Sequence, residues 1–155
     1  MQEEHLSEAI VEAIRGVESG AGGPFGAVIV RAGDVIGRGH NRVLVSADPT
    51  AHAEIVAIRD ACARLGHHSL AGAVLYASCE PCPMCWGASA WARIDRIYYA
   101  ATRDEAAAVG FDDARLHAQL EKPGSERAMP LVHLQHPDAR GPFDAWQRCT
   151  NKVLY

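Results

Sequence analysis

The segment SCEPCPMCW, residues 78–86, puts three cysteines, two prolines and a glutamate into nine positions. Such a run can be a redox dithiol, half of a structural zinc site, or one side of a catalytic metal centre. Each use demands something different of the rest of the chain. Pro83 suits the first turn of a helix, so PMCWGASAWARI reads as a helix that opens on Cys82 and Cys85. Upstream, AHAEIVAIRDACARLG carries Ile55, Ile58, Cys62 and Leu65 at helical spacing, has Gly66 as a cap, and opens on His52 and Glu54. Each helix follows an extended or loop segment. In a layered α/β sheet, such helix starts can converge at the edge where strands end.

The remaining pattern fits that architecture. Leu6, Ile10, Ile14 and Val17 predict an amphipathic first helix ending near Gly20. AGGPFG follows as a loop, and AVIVRAGDVIGRG predicts two strands turning at Gly33-Asp34. VLVSADPT reads as a loop, and AVLYAS and RIYYAA as strands. TRDEAAAVGFDDARLHAQLEK predicts one or two helices broken near Gly110, KPGSERAMP a loop, LVHLQH a last strand, and PFDAWQRCTNKVLY a closing helix and tail. No repeat or low-complexity linker interrupts residues 1–155, so a single domain is expected: three-layer α/β, with a mixed five-stranded sheet flanked by helices.

Composition removes several classes of function. A net charge of -4 argues against a broad nucleic-acid surface, which needs clustered Lys and Arg. No run approaches the roughly 18 to 20 apolar residues of a membrane helix, and MQEEHLSEAI is too acidic for a secretory signal. Five cysteines, an odd number, suit reduced thiols in the cytoplasm better than a disulfide framework.

His52, Cys82 and Cys85 form a three-ligand zinc set that leaves the fourth tetrahedral position for water. Glu54, two positions from His52, is close without being a needed ligand. Two thiolates already neutralise the cation and weaken it as an acid, and a carboxylate that carries the water's proton to a substrate makes up the deficit. A structural site would want a fourth protein ligand, and a thioredoxin-like motif gives His52 and Glu54 no task. HAE alone is a weak signal and PCxxC a moderate one. Together, in this order and on these elements, they match the H-x-E with P-C-x-x-C signature of the zinc nucleobase deaminases.

Beyond the signature, DPTAHAE, SCEPCPMC, WAR, GFDD, and the closing F-x-A-W with N-K-x-x-Y resemble the bacterial guanine deaminases of the cytidine-deaminase-like fold. The resemblance runs from residue 22 to Tyr155. It implies one zinc per chain on His52, Cys82 and Cys85, with Glu54 as the catalytic proton shuttle. It further implies Asn41, the Ala53 backbone and Asp113 as hydrogen-bonding groups for a purine, enclosed by Phe25, Trp91 and Tyr155. The implied reaction is hydrolytic attack at C2 of guanine, giving xanthine and ammonia. The implied assembly is a homodimer in which a C-terminal segment, about 141–155, is exchanged so that Tyr155 comes from the partner. Cys79 falls outside the ligand set, and Trp86 has no assigned role. Guanosine, ammeline or cytosine as substrate, tRNA adenosine deamination and a non-catalytic zinc module are the competing readings.

Overall fold

β1 (Gly26–Arg31) is buried along almost its whole length, and its side chains feed two separate apolar layers. Ala27 and Ile29 pack into one layer with Leu75 and the alanines of a helix; Val28 and Val30 pack into the other with Ala9 and Tyr76. That is the period-two alternation of a strand covered on both faces. The computed structural model describes residues 2–154, and the chain divides into two compact units, Met1–Asp113 and Ala114–Tyr155.

In the first unit β1 pairs antiparallel with β2 (Asp34–His40) and with β3 (Ala73–Cys79), and β3 pairs parallel with β4 (Arg96–Ala101), giving the order β2-β1-β3-β4. The hairpin turns on Ala32 and Gly33, both at positive φ, one position earlier than the sequence suggests, and Asp34 already pairs with Arg31. A two-residue loop with both φ values positive matches the twist of the flanking strands. α1 (Gln2–Glu18) covers one face of the sheet, and α3 (Ala53–Leu65) covers the other. Between β2 and α3 the expected loop contains a single helical turn, α2 (Val43–Ser46). α4 (Pro83–Trp91) makes the crossover between the two parallel strands.

Two glycine–alanine seams bring the helices close to the sheet. Ala53, Ala57 and Ala61 form one fully buried stripe of α3 at four-residue spacing. They face Gly37 and Gly39 of β2, where an added Cβ would lie 2.8 Å from Ala61 Cβ and 2.6 Å from Ala57 N respectively. On the opposite face, Ala9 and Ala13 of α1 rest on Gly26 in the same way.

α5 (Arg103–Ala108) closes the first unit. Its N-cap Thr102 forms a reciprocal capping box with Glu105, and Gly110 at φ 99° turns the chain into Phe111–Asp113. The second unit contains α6 (Ala114–Leu120), a 3-10 turn at Gly124–Glu126, and α7 (Gly141–Arg148). Gln119 Oε1 accepts from Ala128 N at 2.6 Å, and Gly124 O accepts from Leu131 N at 2.9 Å. None of its described residues is buried.

The expected fifth strand is absent among the described residues, so the sheet has four strands. Leu131–His136 is irregular. It lies between Pro130 and Pro137, neither of which has an N–H to give to a ladder, and the Leu131 amide is already committed to Gly124. Among the described residues no helix is long and apolar enough to cross a membrane.

Gly39→Ala should lower the unfolding free energy by about 1–3 kcal/mol, because the methyl must push α3 off the sheet. Gly87→Ala, in open space within α4, should instead leave stability unchanged or raise it by up to about 1 kcal/mol. Urea unfolding midpoints of the two variants check the contrast; equal effects would mean that the seam is not tight.

Candidate functional site

His52 and Cys82 are the N-cap residues of α3 and α4. Both have extended backbone, φ -67° and ψ 157° for His52 and φ -65° and ψ 166° for Cys82, and neither side chain caps its helix. A polar N-cap side chain ordinarily folds back onto the amides of the first turn. Here the two side chains turn toward each other. Cys82 Sγ lies 3.6 Å and Cys85 Sγ 3.5 Å from His52 Nδ1, and the three donor atoms all lie within 4.8 Å of one another. Cys85 is fully buried and Cys82 partly so.

These separations suit zinc. Bonds of about 2.3 Å to sulfur and about 2.0–2.1 Å to nitrogen, at tetrahedral angles, put sulfur and nitrogen about 3.5–3.6 Å apart. Among the described residues this is the one cluster of three or more His, Cys, Asp or Glu that meets such a geometry. Pro83 serves here twice, at the first helical position and as the spacer that puts Cys85 one turn after Cys82.

Protonation at this junction is collective. The hydrogen bond from Cys85 holds the Cys82 thiol down at about 4 against the effect of burial, with His52 adding to it. The same contact with Cys82, and then burial, pushes Cys85 far up. The two shifts share one first cause, the contact between the two sulfurs, and belong to the pair. His52 is raised above the usual imidazole range because the Cys82 sulfur accepts from it. Glu54, only 7% exposed, is raised above the usual carboxylate range by burial.

A cavity of about 610 Å³ opens over this cluster, within the range of small-molecule sites. Six of the sequence-predicted site residues line it: Phe25, Asn41, His52, Glu54, Cys82 and Asp113. Ala53 is buried between two of them, at the first position of α3, where a helix leaves its amide without an intrahelical partner. The structure does not bring Trp91 to this cavity. It is 67% exposed at the far end of α4, six residues past Cys85, and at about 100° per residue that places it on another side of the helix. Tyr155 lies outside the described residues.

Sequence reasoning missed part of the wall. Phe111 meets Phe25 edge-on, with ring centroids 5.0 Å apart at 89°, and Leu44, Glu80 and Arg103 also line the cavity. Phe111 was in view within GFDD, but only the turn at Gly110 shows that it points back over the site. Cys79 lines the cavity too, with its Sγ donating to Thr102 O at 3.5 Å, and it stays outside the ligand cluster.

Residues 1–101 match the family described as the cytidine and deoxycytidylate deaminase zinc-binding region. The chain is 48% identical over 153 residues to a guanine deaminase of Bacillus subtilis, covering 99% of this chain and 98% of that protein. The X-ray structure of guanine deaminase from Bacillus subtilis is similar with a TM-score of 0.95, at 48% identity and with 99% and 98% of the two chains covered. A tRNA-specific adenosine deaminase of Aquifex aeolicus is 44% identical over 100 residues, 64% of this chain and 66% of that protein. A crystal structure in complex with 2,6-diaminopurine is similar at 33% identity, with a TM-score of 0.70 and with 73% of this chain and 63% of that one covered.

Purified protein should hold about one zinc per chain. Cys82→Ser and Cys85→Ser should lose most of it, whereas Cys79→Ser should keep it. Metal analysis of the four proteins checks this, and equal loss from Cys79→Ser would refute the ligand set.

Proposed function

The chain belongs to the cytidine and deoxycytidylate deaminase zinc-binding family, and from that premise we propose that it is a guanine deaminase, converting guanine and water to xanthine and ammonia. The observation that carries guanine is the extent of the likeness. Similarity to the Bacillus subtilis guanine deaminase covers 99% of the chain, through the Gly110–Asp113 loop and the C-terminal segment. Likeness to the Aquifex aeolicus tRNA-specific adenosine deaminase covers 64%.

His52, Cys82 and Cys85 would hold the zinc, which when bound would supply Lewis-acid activation of a water near neutral pH. Glu54 takes a proton from the attacking water as its oxygen bonds to C2 of guanine, and delivers it to the adjacent ring nitrogen. Glu54 then carries the remaining hydroxyl proton to the amine. The C2–N bond breaks, ammonia leaves and the C2 carbonyl of xanthine forms. Burial of Glu54 favours its protonated form, which suits a group that must hold a proton between two transfers.

Asp113 accepts from the N–H donors of the base, and the Ala53 amide and Asn41 supply donors. Phe25 and Phe111, in contact with each other, form one apolar wall beside the ring. A base with acceptors facing Asp113 would set lone pairs against a carboxylate, and is rejected on that account. A second reading, deamination of tRNA adenosine, draws on the shared 100 residues; a net charge of -4 speaks against a polyanionic partner.

The assembly we favour is a homodimer in which the segment about 141–155 docks on a second copy. Support comes from its surface: Phe143 is 66% and Leu154 82% exposed, and Trp146 and Val153 are exposed as well, more apolar area than a free terminus carries. Tyr155 would then complete the partner's cavity. All five cysteines are free, which fits a reducing cytoplasm.

Ammonia release should be fastest with guanine in a panel that includes guanosine, adenine, cytosine and ammeline. Glu54→Gln should lower turnover by about two to four orders of magnitude with zinc retained. Near-normal turnover would remove the shuttle role, and a preference for another base would displace guanine.

Deleting residues 151–155 should cut activity while fold and zinc persist. Co-expressing that truncation with Glu54→Gln should restore activity, since a mixed dimer pairs an intact metal site with the other chain's intact tail. Full activity of the truncation alone would eliminate the closure.

A further inference from the structure

Asn41 follows the last residue of β2, and its backbone amide donates to Phe25 O at 2.9 Å, one step beyond the β1–β2 ladder. Asn41 is 6% exposed, and its Oδ1 is held from two directions. The Gly23 amide donates to it at 3.2 Å and the Val43 amide at 3.1 Å. The two ends of a carboxamide are not interchangeable here: an NH2 group placed between two N–H donors would meet only donors. The clamp therefore fixes which end is which, and leaves the NH2 as the end available to the cavity that Asn41 lines.

The clamp closes only because position 22 has no side chain. A Cβ on Gly22 would fall inside contact distance of Asn41 Oδ1, 3.0 Å from Cγ and 2.9 Å from the backbone oxygen. Gly22 is not among the residues at positive φ, so glycine is needed there for space and not for backbone conformation. The neighbouring glycine does something different. A Cβ on Gly23 would meet the rings of Phe111 at 3.0 Å and Phe25 at 3.1 Å, so it governs the aromatic wall.

We propose that Gly22 is a positioning residue for substrate recognition: it lets the 22–25 loop close on Asn41 and locks the carboxamide with its NH2 toward the cavity. The site then requires a hydrogen-bond acceptor on the base edge at that place, and an edge carrying a donor there is refused. This rests on the reading of the cavity as a purine site, but the lock itself is a property of the free protein and can be measured without substrate.

The first measurement is amide hydrogen exchange in the zinc-loaded protein. Gly22→Ala should accelerate exchange at the Gly23 and Val43 amides by about tenfold or more, since both lose a shared acceptor. Unchanged protection at both amides would overturn the lock, whatever the substrate proves to be.

The second measurement is kinetic, with guanine. Gly22→Ala should raise KM about five- to tenfold, the scale of one lost net hydrogen bond, and change kcat less than about twofold. In an Asn41→Ala background the same change should cost less than about twofold, because Gly22 acts through a side chain already removed. An equal cost of Gly22→Ala in both backgrounds would overturn the proposal.

Asn41→Asp provides a test that does not depend on Gly22→Ala folding. It keeps an oxygen for both amides and loses the NH2, so protection at Gly23 and Val43 should match wild type while KM for guanine rises about five- to tenfold. Wild-type KM in that variant would show that the NH2 end is not the one that reads the base.

Discussion

Everything at the site depends on how closely α3 approaches the sheet. A helix carrying larger side chains on its buried face would stand off from β2 by the thickness of those side chains, and its first residues would be free to shift with their packing. The Ala53–Ala57–Ala61 stripe on Gly37 and Gly39 removes that layer and sets backbone almost against backbone. The N-terminus of α3 inherits the rigidity of the strand. His52, Ala53 and Glu54 are consecutive residues at that end, so one packing seam positions an imidazole of the donor cluster, the first amide of the helix and the buried carboxyl together.

The electrostatics follow from the same closeness. Two sulfurs, an imidazole and a buried carboxyl cannot all hold full charge in so small a volume without a compensating cation. The protons respond collectively, with Cys82 held at about 4 and Cys85 and Glu54 pushed up. A divalent ion within the triangle of donors would satisfy both sulfurs at once. Cys79, close by in sequence, stays outside the donor cluster; burial raises its thiol, Glu54 adds to the rise, and its sulfur donates to the carbonyl of Thr102.

The legible parts of the sequence were those whose structure is set locally. Helix periodicity, Pro83 and the His52–Glu54 and Cys82–Cys85 spacings lie within single turns, and the structure keeps them. LVHLQH failed because a strand is a property of two segments: apolar residues alone give it no neighbour, and Pro130 and Pro137 bound it. Trp91 belongs to the recognised WAR segment, but where its side chain goes depends on the phase of α4, which spacing from Cys85 decides. Phe111 and Gly22 were invisible as site residues for a related reason. Their positions come from loop closures, one at the left-handed Gly110 and one around the Asn41 carboxamide, that no local pattern encodes.

The use of two N-cap residues as ligands has a consequence for how a molecule enters. α3 and α4 both direct the positive ends of their peptide dipoles at the donor cluster. Glu80, Arg103, Asp112 and Asp113 share the lining with that cluster. Backbone partial charge therefore gives the wall at the donor cluster a positive potential that falls off across the cavity. A neutral heterocycle with a large dipole moment is turned by such a gradient before it forms any specific contact, whereas an ion is simply drawn to one wall. Two helix N-termini thus give the cavity a built-in preference for how a dipolar molecule is turned on entry.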